Sequence, residues 1–343
     1  KRKSTVNVLT SRGCIGKCSF CSISAFGKKH EGKKWRGRSI PDIVDELKIL
    51  QVQGANTVKL IDDSFIEYVR DNQWCKDFAD ALEKEGLTLQ IRASIRADNV
   101  NMENMKHLKR AGFFSFSCGI ENGSKSALSR MGKLASLEDN FNALKCFREH
   151  GYYVQAGFIL FDNKSTLDEL KENHSFMSDN VDLVTKGIFS EMFAAEGTEF
   201  TNNLVDEKGK QFSSNRLYEI EDEDARKVYI YLKKWQSNHI EIYDKVIDPI
   251  SAPKAIELHR MKKYHELMVR MKEVDLMFMQ DLIKQAECSG DLDVLCNSYL
   301  QRYAAFFKGC KVKVDRFYQE DGLQYDADTN KFILLNSKND FSS

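Results

Sequence analysis

The chain has 343 residues with 51 basic and 51 acidic side chains, a length that suits two domains or one large α/β domain with an appendage. Hydrophobic residues make up 42%, which excludes a disordered chain, and no run approaches the ~18 apolar residues that a membrane span needs. Nine cysteines are too few for a secreted disulfide scaffold and odd in number; with no apolar leader, they point to a reducing cytoplasm, where clustered thiols bind metal.

Strands alternate with helices over the first two hundred residues. Val6–Leu9 reads as a strand. Residues 41–50 form an amphipathic helix, with Pro41 at its start and Ile43, Val44, Leu47 and Leu50 at helical spacing. Strands follow at Thr57–Ile61, Leu87–Ile95, Phe113–Ile120, Tyr152–Phe161 and Leu183–Met192. Helices are expected at Trp74–Glu85, Met102–Arg110, Leu137–Glu149 and Leu167–Met177, with Gly86 and Gly151 as stops. Six such units predict a parallel sheet with right-handed crossovers, a partial (β/α)6 TIM-like barrel whose ligands sit at the carboxyl ends of its strands.

The composition changes near residue 215. Only three prolines occur in the chain, and helical patterns cover 218–245, 253–287 and 292–307. The stripe Tyr264, Leu267, Met271, Val274, Phe278, Leu282 reads as helix-packing core. Val312, Val314 and Phe317, then Asp321-Gly322, then Phe332–Leu335 suggest a small β-hairpin. The expected domains are 1–214 for the barrel, 215–309 for a helical cap that helps to form the substrate pocket, and 310–343 for the hairpin and tail.

Charge is unevenly spread. Residues 1–40 hold eleven basic side chains against Glu31 alone, while Glu219–Asp224 holds five acids in six positions. The acids suit a helix start. The basic segment has few interleaved aromatics, which argues against nucleic acid as partner; the other reading is that it flanks an anionic cofactor.

The chemistry lies just after the first strand, where Cys14, Cys18 and Cys21 are spaced CxxxCxxC. Random placement would give about 0.006 such triplets in a chain of this cysteine content. One loop can wrap three thiolates around a metal centre and leave a position open for substrate. A zinc knuckle completed by His30 or a distant cysteine, and three buried structural cysteines, are the alternatives to a [4Fe–4S] cluster.

With Phe20 between its last two cysteines, this segment resembles the motif of the radical S-adenosylmethionine (SAM) enzymes. Trp35–Ser39, Ile61–Phe65, Arg96–Asp98, Gly119–Ser124, Gly157–Asp162 and Glu196–Phe200 occur in the order that family shows, and the set resembles its cobalamin-associated subgroup more than the methylthiotransferases. The resemblance implies that Cys14, Cys18 and Cys21 hold three irons and that SAM chelates the fourth. It implies that an electron, from a flavodoxin- or ferredoxin-type donor, cleaves SAM to methionine and a 5′-deoxyadenosyl radical. It places Asp62 or Asp63 at the methionine ammonium, where the family usually presents Gly-Gly-Glu, and Glu121 near the ribose or amino group. Arg96 would meet the SAM carboxylate or an active-site acid, and Gly157 with Ile159 would underlie the adenine; Lys133 matches a further family position. Each has a plainer reading: strand-end solvation for the aspartates, a helix-start acid for Glu121, a surface ion pair for Arg96, an exposed lysine for Lys133, core packing for Ile159.

Cys75, Cys118 and Cys146 read as buried apolar residues, with Cys118 also a candidate hydrogen-atom donor. Cys288, Cys296 and Cys310 could hold an auxiliary cluster. The expected activity is hydrogen abstraction from a peptide or small-molecule substrate in natural-product or cofactor biosynthesis. The alternatives are a cobalamin-dependent methyltransferase whose cobalamin domain, absent here along with any Asp-x-His-x-x-Gly, lies outside this chain, and a non-catalytic iron–sulfur module.

Overall fold

The computed structural model describes residues 4–29, 31–204, 218–251, 258–326 and 331–334. In chain order the elements are β1 (Ser4–Val8), β2 (Ser11–Gly13), α1 (Ser22–Lys28), β3 (Trp35–Gly37), α2 (Ile40–Val52), β4 (Ala55–Leu60), α3 (Asn72–Lys84), β5 (Gln90–Arg96), α4 (Met102–Arg110) and β6 (Phe113–Glu121). There follow α5 (Lys125–Arg130), α6 (Leu137–Glu149), β7 (Tyr153–Phe158), α7 (Leu167–Asp179), α8 (Glu199–Asn203), α9 (Glu223–Ser237), α10 (Ile240–Ser251), α11 (Leu258–Glu287), α12 (Leu292–Asp321), β8 (Leu323–Asp326) and β9 (Lys331–Leu334). They fall into two compact units, residues 1–159 with 192–218, and residues 160–191 with 219–343.

The first unit is built on a parallel sheet of order β1-β4-β5-β6-β7, so chain order is spatial order, as repeated right-handed crossovers produce. The helices start where local chemistry allows. Ser39 caps α2 ahead of Pro41, and Asn101 and Ser136 close reciprocal capping boxes on α4 and α6. One sheet face is apolar and packs on helices: Phe116 lies against Phe147 of α6, and the ring chain Phe65–Phe78–Phe113 joins β6 to α3. The α/β class and the partial parallel barrel are therefore as expected.

The sixth expected strand, Leu183–Met192, is not a strand. Among the described residues only the bridge Phe161–Glu191 stands at that position. Gly187 turns the chain at φ 71°, and the Gln236 side chain takes the ladder's bonds: its Oε1 accepts from Phe189 N (2.8 Å) and its Nε2 donates to Lys186 O (3.1 Å). A second correction concerns Val312, Val314 and Phe317. They lie in α12, where Cys310, Val314 and Tyr318 bury one stripe at spacing four. A two-stranded antiparallel pair does form, later, from β8 and β9. Asp222, from the acidic run, caps α9.

Candidate functional site

The three cysteines occupy a loop pinned at both ends. β2 pairs with β3, Gly13 opposite Trp35, and α1 begins directly after Cys21. Gly13 has φ 91°, and a Cβ there would stand 1.9 Å from Lys34 O, so only glycine closes this pinch. Two bonds fasten the loop to other parts of the unit: Ser19 N donates to Met131 O (2.9 Å), and Phe200 N donates to Ser19 O (2.8 Å). All three thiols are free and half-buried. Gly16 N donates to Cys14 Sγ at 3.3 Å, and a Cβ on Gly16 would meet Cys14 Sγ at 3.2 Å and Cys18 Sγ at 3.9 Å. Burial pushes the Cys14 thiol up, and the Cys18 thiol to about 11.

Among the described residues no three His, Cys, Asp or Glu side chains converge as ligands of a single ion would. Thiolates that each bind a different iron of a cluster do not need that convergence. A cavity of about 340 Å³ lies against Cys18 and Cys21, room for a group much larger than one ion. The donor set and the glycine between two sulfurs fit a [4Fe–4S] cluster. His30, the alternative zinc ligand, lies outside the described residues.

Glu121 ends β6 at φ 64°, just past a break in register between Gly119 and Glu121 against β7. This bulge folds its carboxylate back along the sheet. A Cβ on Gly119 would stand 2.4 Å from Glu121 Oε1, and one on Gly157 3.3 Å from Oε2. Lys133 Nζ donates to Gly119 O (3.1 Å) and Glu121 Oε1 (3.3 Å), with both side chains largely buried. Burial raises the Glu121 carboxyl above its ordinary value, and the Lys133 ammonium opposes that rise. Lys133 is thus no solvated lysine.

Arg96 lies at the end of β5 in a partly buried ion-pair group. Its Nη1 donates to both Glu67 oxygens (2.9 and 3.0 Å) and reaches Cys14 Sγ at 3.8 Å, while Nε donates to Asp98 (3.0 Å). Asp62 and Asp63 part company. Asp62 is 3% exposed and accepts from Thr10 N (2.7 Å), Thr10 Oγ1 (2.5 Å), Ser11 Oγ (2.7 Å) and Arg70 Nη1 (3.5 Å), so its acceptor sites are filled inside the fold. Asp63 is exposed, and its Oδ2 accepts from Gly13 N (2.8 Å) next to Cys14. Phe20 and Ile159 pack on one cluster with Ala127, Met131, Met192 and Phe200. Cys118 is 1% exposed on the strand face of Phe116 and Ile120, with its thiol pushed up by burial to about 12.

Cys296 and Cys310 lie 14 residues apart in the single helix α12, a rise of about 21 Å. They cannot share an auxiliary cluster, and Cys288 is exposed. Glu67 was not expected at the site. The acid that follows the Ile61–Phe65 segment and the Arg-x-Asp spacing of Arg96 and Asp98 were the available signals.

The model of the radical SAM superfamily matches residues 8–177. An uncharacterized methyltransferase of Pyrococcus horikoshii is 30% identical over 170 residues, 49% of this chain and 36% of that protein. A putative methylthiotransferase of Methanocaldococcus jannaschii is 26% identical over 233 residues, 66% of this chain and 50% of that protein. The chain thus spans half or less of the length of these curated relatives. Among solved structures, the cobalamin-dependent S-adenosylmethionine radical enzyme OxsB superposes with a TM-score of 0.65 at 17% identity, over 94% of this chain and 56% of that one. At that identity the likeness concerns the fold alone. Among the described residues, no helix is long and apolar enough to cross a membrane.

Proposed function

Residues 8–177 of this chain belong to the radical SAM superfamily, and from that premise we propose that the protein abstracts hydrogen from a peptide or small-molecule substrate. The observation that carries the reading is the neighbourhood of the cysteine loop, where Glu121 and Lys133 close over two glycines at the carboxyl end of the sheet. In this reading Cys14, Cys18 and Cys21 hold a [4Fe–4S] cluster, and the cluster with SAM supplies, on reduction, methionine and a 5′-deoxyadenosyl radical. The Gly16 N–H stabilises negative charge on Cys14 sulfur. Asp63, beside Gly13, is the aspartate left to receive an ammonium, since Asp62 is filled by internal donors. Glu121 accepts hydroxyl or ammonium hydrogens, held in place by Lys133. Glycine at 157 makes room for the Glu121 carboxylate, whose Oε2 lies 3.3 Å from where a Cβ would stand, and Ile159 offers an apolar surface for the adenine beside it. Arg96, held by Glu67 and Asp98, donates a hydrogen bond to Cys14 sulfur.

A second reading, cobalamin-dependent methyl transfer, is supported by the methyltransferase relative and by a fold shared with OxsB over most of the chain. Product analysis with methyl-deuterated SAM separates the two. Hydrogen abstraction gives 5′-deoxyadenosine and no label on the product. A trideuteromethyl product with S-adenosylhomocysteine gives the second reading its place. An electron donor of flavodoxin or ferredoxin type belongs to both.

A further inference from the structure

The other face of the parallel sheet has an unusual composition. Strands of parallel sheets are ordinarily apolar on both faces, and barrel interiors are filled by branched apolar side chains. Here the face turned away from Phe116 and Ile120 is polar. Register sets Asn7 beside Lys59, Lys59 beside Arg92, and Ser117 beside Gln155. Asn7 and Lys59 are exposed, and Ser117 and Gln155 half-exposed.

Arg92 is the uncompensated member of this row. It is 7% exposed. Its Nη2 donates to Ser117 Oγ (2.8 Å) and to Gln155 Oε1, both neutral, and its Nε has no partner. Among the described residues it forms no ion pair; burial without a counter-charge lowers its pKa to about 10. A buried cation without an anion costs several kcal/mol, and one partly satisfied network of this kind is worse than an apolar core. A side chain present only to bridge Ser117 and Gln155 would not need to be charged.

We propose that this sheet face binds the substrate, and that Arg92 receives an oxyanion, carboxylate or phosphate, on it. The inference rests on the reading of the mouth as the SAM site. The guanidinium reaches the Ser117–Gln155 pair, two strand residues or about 7 Å beneath Gly119 and Gly157. The substrate class is therefore a compact polar molecule whose anionic group lies two strand residues, about 7 Å, below the mouth.

The test is calorimetric titration of the full chain with inorganic phosphate and, separately, with succinate. The proposal expects saturable binding of at least one; which probe binds tells phosphate from carboxylate. Arg92→Gln should weaken that binding by about tenfold or more, as loss of a charge-assisted contact does. Gln155→Glu supplies the missing anion inside the protein, so it should fold and bind neither probe. Lys48→Gln, at an exposed pair with Glu85, should bind as the parent does. Absence of saturable binding in the parent, or undiminished binding in both Arg92→Gln and Gln155→Glu, overturns the proposal. Iron content and SAM affinity, measured on the same preparations, report on the superfamily reading separately. If they fail while oxyanion binding persists, it is the mouth and not Arg92 that has been misread.

Discussion

Glu121 holds its carboxylate where a side chain on Gly119 would be, 2.4 Å from the site of a Cβ. Gly119 itself has an ordinary backbone conformation, so Gly119→Ala strains only the carboxylate and the Lys133 ammonium, 3.1 Å from the same Cβ. We expect Gly119→Ala and Glu121→Gln each to weaken SAM binding by roughly tenfold, the scale of a charge-assisted hydrogen bond. The double variant should lose little more than either alone, because both remove the same contact. Additive losses in equilibrium binding would show that Gly119 acts on its own. Glu121 also sits at positive φ, which costs a non-glycine residue about 1 kcal/mol. Glu121→Gly relieves that strain but leaves the buried Lys133 ammonium without its carboxylate, so it should be less stable to urea than the parent and also bind SAM poorly.

Much of this was legible in the sequence, for a physical reason. The strands β4 to β7 and helices α2 to α4 and α6 carry strong periods, caps and glycine stops, and the cysteine spacing is a local pattern. The bond between Glu121 and Lys133, by contrast, depends on a bulge that removes one residue from register, and nothing in Gly-Ile-Glu announces it. The pair β2–β3 was missed because three-residue strands show no period. The strand expected at Leu183–Met192 has the right composition, but Gln236, far along the chain, supplies the hydrogen bonds a strand partner would have made.

Asp62 and Asp63 adjoin in sequence and should differ in every assay. Removal of the Asp62 charge leaves Arg70, 1% exposed, without its carboxylate and strips the Thr10 and Ser11 donors of their acceptor. Asp62→Asn should destabilise the fold by about 3 kcal/mol, the usual cost of breaking a buried ion pair. Asp63→Asn should change stability by less than about 0.5 kcal/mol and instead weaken SAM binding. Urea titration and SAM titration of the two variants check this; similar stability losses would place both aspartates in the scaffold.

The cysteines divide by burial into reactive and inert groups. In protein stripped of iron, a thiol reagent should label Cys14, Cys18, Cys21 and Cys288, and reach Cys75, Cys118, Cys146, Cys296 and Cys310 only after unfolding. Restoration of iron and sulfide should protect Cys14, Cys18 and Cys21 and leave Cys288 open. Alanine at any of the three should abolish the iron–sulfur absorbance. Gly16→Ala should lower iron content as well, because its Cβ would stand 3.2 Å from Cys14 Sγ. Stoichiometric zinc in place of iron and sulfide would favour the zinc reading.

In the second unit, Lys272 is 2% exposed and donates to Leu183 O (2.8 Å). Burial lowers its pKa to about 8, and the charges of Asp182 and of Asp275 on the same helix do not restore it. In the unfolded chain a lysine titrates near 10.4. Between about pH 8 and the unfolded value the unfolded state binds more protons than the folded one, so stability attributable to this group rises with pH across that window. Below the window both states are protonated and the cost of burying the ammonium is fully present, on the order of 3 kcal/mol. Lys272→Met, close in length and without the charge, should therefore be more stable than the parent at pH 7, and the difference should shrink as pH rises to 10. Chemical denaturation of the pair at pH 7, 8, 9 and 10 reads the difference directly, since every other titrating group is common to both proteins. A gap that does not change with pH would mean that Lys272 keeps its proton throughout, and that its bond to Leu183 O carries the ammonium at no cost.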